Sequence, residues 1–164
     1  MTGRWAALSF GVSLSIAGVA LSGAPTWAAG DLSQQEPVEV RVELGKAGSD
    51  EHRFVPAELT FETGKLYKLV IHNPSPHPHY FTSGTFADKV FTRKVQIAQP
   101  SDAAKRIAEV KGPVREVEVY PGGSLEWWFV PVAAGSITDL HCHVKDKDGV
   151  THADKGMTGV IHIK

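Results

Sequence analysis

The chain has 164 residues, 17 Lys and Arg against 18 Asp and Glu, and a formal net charge of −1. Near-neutrality without a basic cluster excludes the electrostatic footprint of a nucleic-acid-binding protein. A single cysteine, Cys142, excludes an internal disulfide.

The first segment, "MTGRWAALSFGVSLSIAGVALSGAPTWAAG", places Arg4 before an apolar stretch from Trp5 to Leu21, with small residues around Ala28, Ala29 and Gly30. That order is the pattern of a secretory signal. Residues 1–28 are therefore expected to be a signal peptide cut between 28 and 30, which predicts a periplasmic protein. Ser9, Gly11, Ser13, Ser15 and Gly18 interrupt the apolar stretch, which is shorter than the ~20 residues a membrane span needs. No membrane span is expected in the mature chain. Residues 31–164 are expected to form one domain, large enough for a real core.

Along that domain, "VEVRVEL" (Val38–Leu44) alternates apolar and charged residues, the period of a half-buried strand. "LYKLVIHN" is rich in β-prone residues and ends at the turn-forming "NPSP"; "REVEVY" alternates and stops at "PGG". "SLEWWFVP", "SITDLHC" and "TGVIHIK" complete at least six strands punctuated by Pro and Gly, the rhythm of an all-β sandwich. Trp127 and Trp128 are expected on opposite faces of their strand, one in the core. Between Ser83 and Gly112 one short helix is expected after Gly84. Ser101 and Asp102 are plausible helix caps, although "KVQIA" and "RIAEV" pair equally well as a hairpin.

The chemistry concentrates in "HCHVKDKDGVTHADKGM", residues 141–157. Two imidazoles and a thiolate with a weak thioether form the electron-transfer arrangement for copper, whereas zinc makes little use of methionine. Cys142, His152 and Met157 supply three such groups, and a fourth has to come from elsewhere in the chain. The best source is "NPSPHPHYF", where His79 precedes Tyr80 and Phe81, with His77 as its rival. His143 competes with His152, but neighbours on a strand face opposite ways, which separates it from Cys142. His77, His141 and His143 leave a second metal site open. His52, His72 and His162 have no constellation around them and are expected to be structural.

Asn73 with His79 and Phe81 after a strand, then Cys142, His152 and Met157 before the last strand, resembles the cupredoxins, the type 1 copper proteins. The resemblance covers nearly all of residues 31–164 and is strongest to bacterial periplasmic members. It implies a cupredoxin-like Greek-key β-sandwich with a short helical or irregular insertion, and one mononuclear type 1 copper on His79, Cys142, His152 and Met157. It further implies a non-enzymatic electron carrier whose partners are redox proteins, a c-type cytochrome or an oxidase among them. A copper-tolerance or copper-handling cupredoxin is the alternative, and a copper oxidase or reductase the third. The nine residues between Cys142 and His152 exceed the two to four usual in the family. The extra "VKDKDG" (residues 144–149) is expected on the surface next to the edge of His152, choosing the partner without building the metal site.

Overall fold

Charged residues alternating with valines make β1, Val38–Leu44, a strand whose second half delivers Val42 and Leu44 fully into the interior. In the computed structural model, residues 34–99 and 102–164 are described, with Gly3; of 98, 99 and 102–109 only the backbone is described. The expected signal peptide lies outside the described residues. Among those described, no helix is long and apolar enough to cross a membrane.

After β1 come β2 (Phe54–Val55), β3 (Glu58–Phe61), β4 (Tyr67–His72) and β5 (His79–Thr82). Then follow α1 (Gly84–Lys89), β6 (Val90–Gln99), β7 (Asp102–Val110), β8 (Glu116–Val119), β9 (Ser124–Pro131), β10 (Gly135–His141) and β11 (Thr158–Ile163). One sheet has the order β2-β1-β4-β9-β6-β7, the other β3-β11-β10-β5-β8. The chain changes sheets after β2, β3, β4, β5, β7, β8 and β9, so both sheets are assembled from strands remote in sequence. β1 runs parallel to β4 and β11 parallel to β3. This is the all-β sandwich that the alternating segments imply.

Phe61, Phe81, Phe86, Trp127 and Phe129 fill the space between the sheets, their rings meeting mostly edge to face. Trp127 is fully buried and its indole N–H donates to Thr92 Oγ1 at 3.0 Å. Trp128 faces the other way, half-buried, with the Lys94 ammonium 4.7 Å from its ring centroid. The expected split between the two indoles holds.

The expected short helix begins at Gly84. Ser83 caps it, accepting the Phe86 N–H. The undecided stretch beyond it resolves as a hairpin, with Val95 opposite Val110 and Ile97 opposite Ala108. Asp102 thus opens a strand and caps no helix; Ser101 lies outside the described residues. The helical propensity of "DAAKRIAEV" yields to pairing, since β6 is also held by β9 along Thr92–Gln96.

Candidate metal centre

Asn73 builds the loop that delivers His79. It is fully buried; its side-chain amide donates to the carbonyls of His77 (2.7 Å) and Val119 (2.6 Å). Its Oδ1 accepts the Ser75 N–H and hydroxyl, each at 2.9 Å. This Asx turn closes "NPSPHP" tightly and starts β5 at His79. Gly45, at φ +77°, lets the imidazole in: a Cβ there would lie 2.7 Å from Ser75 Cβ and 2.8 Å from His79 Nε2.

The segment after β10 folds back on itself. Cys142 N–H donates to the Met157 carbonyl (3.2 Å), Met157 N–H to the His152 carbonyl (2.9 Å), and His152 N–H to the Val144 carbonyl (2.8 Å). These bonds bring three residues spread over sixteen positions to one end of the sandwich. His79, Cys142, His152 and Met157 are all fully buried there.

Three donor atoms converge. His79 Nδ1 is 3.0 Å from His152 Nδ1, and Cys142 Sγ is 3.4 Å from His152 Nδ1 and 3.8 Å from His79 Nδ1. With metal–nitrogen bonds of about 2.0 Å and a metal–sulfur bond of about 2.3 Å, donors around one ion stand about 3.3–3.7 Å apart. The observed triangle matches that spacing to within a few tenths of an ångström. The Tyr80 N–H donates to Sγ at 3.2 Å, the kind of contact that supports charge on a thiolate. Burial pushes the Cys142 thiol up, against that bond and one from the Val144 backbone. A bound cation is what would deprotonate it. Met157 is anchored beside the triangle by its backbone. Soft sulfur, two imidazoles and a neighbouring thioether suit copper.

His77 does not join the triangle. Its Nε2 lies 2.7 Å from Asp50 Oδ1, in an exposed pair. His143 stacks on the Tyr80 ring at 4.2 Å, and His141 Nδ1 contacts the Asp139 carbonyl at 2.7 Å. His72 and His162 are held by Gly123 and Ser136, as structural histidines.

Two expectations need correction. His52, expected to be structural, packs against the centre: its ring stacks on His152 at 3.7 Å and 12°, and one nitrogen each from His52, His79 and His152 lie within 4.8 Å of one another. Near-parallel rings aim their in-plane lone pairs side by side, so His52 and His152 do not point at one ion together. The thiolate triangle is the better cage.

The insertion also differs from expectation. Asp146 Oδ1 lies 3.2 Å from His152 Nε2 and Asp146 Oδ2 lies 3.1 Å from His52 Nε2. Lys155 donates to Asp146 at 2.6 Å and to Asp148 at 2.8 Å. With that ammonium first, and the two imidazoles after it, the Asp146 carboxyl is held well below the usual range. An ionised carboxylate only accepts, so both Nε2 atoms donate to it and each ring turns its Nδ1 the other way. A carboxylate on the far nitrogen is what orients metal-bound histidines and fixes their tautomer. The His152 side chain is only 1% exposed, so its edge is sealed by the insertion and by His52. "VKDKDG" is a surface loop that also builds the site.

Burial, followed by the neighbouring His152 and His52, lowers the His79 imidazole to about 3. An unfolded histidine titrates near about 6.5. As pH falls below that value the unfolded chain takes up a proton that folded His79 refuses until about 3. The metal-free protein is therefore expected to lose stability progressively with acid, beginning above the range where carboxylates titrate. Denaturant midpoints of the metal-free chain measured between pH 7.5 and 4.5 should fall steadily. A flat profile would contradict the buried, neutral His79.

The architecture is the cupredoxin fold, and the centre occupies one end of the sandwich. The sequence matches no protein-family model and no curated protein. Among solved structures, a multicopper oxidase from Campylobacter jejuni aligns at a TM-score of 0.51 and 16% identity, over 79% of this chain and 31% of that one. Copper nitrite reductase from Nitrosomonas europaea aligns at 0.53 and 10%, over 80% and 51%. Auracyanin from the photosynthetic bacterium Roseiflexus castenholzii aligns at 0.45 and 20%, over 79% and 99%. The chain thus spans about a third of the oxidase and half of the reductase.

Proposed function

We propose that this chain is an exported electron carrier in which His79, His152 and Cys142, with Met157 beside them as a weak thioether donor, would hold one copper ion. The observation that carries it is the convergence of Nδ1, Nδ1 and Sγ from three fully buried residues. Copper in such a cage supplies a one-electron change with little rearrangement. The chain's part is to hold the donors still: Asn73 fixes the His79 loop, Asp146 fixes His152, and Tyr80 N–H supports the sulfur. Burial of every donor favours a carrier over an enzyme, because a catalytic metal keeps a position open to substrate. Small redox proteins of the periplasm, such as a c-type cytochrome or an oxidase, are the partners this reading expects.

Voltammetry of the copper-loaded chain tests it: one reversible one-electron couple, with no consumption of oxygen or nitrite under reducing conditions. Sustained turnover of either substrate would overturn the carrier reading. Met157→Leu should keep copper bound and raise the potential, because a thioether donates preferentially to the oxidised ion. Loss of copper, or an unchanged potential, would remove Met157 from the ligand set.

A further inference from the structure

Beside the centre opens a cleft of about 900 Å³, whose lining includes Asp50, His52, His77, Asp146, Asp148 and His152. Its imidazoles form a graded series from solvent inward. The side chain of His77 is 35% exposed, that of His52 6% and that of His152 1%. Cys142 behind them is fully buried. The His77 and His52 rings are 5.5 Å apart, and His52 is 3.7 Å from His152.

His52 Nδ1 is buried without any hydrogen-bond partner. Buried polar atoms are nearly always satisfied, and an orphan calls for a ligand or another specific cause. Asp146 engages the Nε2 side of this ring, which leaves Nδ1 as the nitrogen open to a ligand. The ring is nevertheless parallel to His152 and does not serve the inner ion in this arrangement.

We propose that His52, with His77 on its outer side, is a loading site that takes a copper ion on imidazole nitrogen and passes it to His79, His152 and Cys142. The cleft's lining carries four carboxylates, of Asp50, Glu51, Asp146 and Asp148, against three ammonium groups, of Lys145, Lys147 and Lys155. The exchange replaces imidazole bonds of the outer site by bonds of the inner one, and the Cys142 thiol releases its proton to solvent as the ion arrives. This inference rests on the reading of the inner centre as a copper site, but its test does not.

His52→Phe keeps an aromatic ring against His152 and removes the donor. In a Cys142→Ser background, titrated with Cu(II) against a chelator and followed by electron paramagnetic resonance, His52→Phe should cost at least tenfold in affinity and one coordinated nitrogen. In the otherwise native chain, stopped-flow mixing with Cu(II) should show the thiolate band forming at least tenfold more slowly, with the same final spectrum. Unchanged affinity and nitrogen count in the first experiment, or a native loading rate in the second, would overturn the proposal and leave His52 a stacking cover. A parent chain that never develops the thiolate band would instead overturn the inner centre, while the nitrogen count still decides the role of His52.

Discussion

Cys142→Ser is expected to erase the intense visible absorption of the copper-loaded protein. That absorption requires a thiolate bonded to the ion. A serine hydroxyl is a much poorer donor to copper and has no comparable charge transfer in the visible. Cys142 is fully buried, accepts the Tyr80 N–H, and stands 3.4 Å and 3.8 Å from the two imidazole Nδ1 atoms. Serine is nearly the same size, so the sandwich should survive; its hydroxyl can take the Tyr80 bond, and the cost is about 1–2 kcal/mol at most. Near-ultraviolet circular dichroism establishes the fold and the visible spectrum gives the answer. A folded, intensely coloured Cys142→Ser protein would exclude Cys142 as the ligand.

Asp146→Ala is expected to weaken copper binding by about 10–100-fold, the usual loss when the partner of a metal-bound histidine is removed. The carboxylate holds His152 Nε2 and His52 Nε2 at once, and Lys155 holds the carboxylate. Without it both rings lose their fixed tautomer, Lys155 keeps only Asp148, and His152 must be ordered when copper binds. The control is the pair Lys145→Ser and Lys147→Ser, which removes the charge of the same loop without touching either imidazole; affinity should stay within about twofold. Competition with a calibrated chelator measures all three. Equal affinities would show that the insertion is independent of the centre.

The strands and the four ligand candidates were legible because both signals are local. Alternation over six or seven residues marks a half-buried strand wherever it occurs. Soft donors clustered in residues 141–157 mark a metal site, and Asn73, His79 and Phe81 follow a strand directly. His52 carries no such mark. It lies 27 positions before His79 and joins the site only because β2 packs beside β1, a fact of topology. The role of Asp146 was hidden for a related reason: "VKDKDG" has the composition of any solvated turn. The one available signal was its length, since a ligand nine residues past Cys142 has to be tied down by something within the loop. The β6–β7 hairpin was ambiguous because "DAAKRIAEV" suits a helix, and only its pairing with β6, itself held by β9, decides against it.

X-ray absorption at the copper edge of the loaded native chain tests the central claim most directly, because it identifies the donor atoms themselves. The expected result is one tightly held copper per chain with a single short copper–sulfur bond and two imidazole nitrogens. A shell of nitrogen and oxygen alone, with no short sulfur contact, would contradict it.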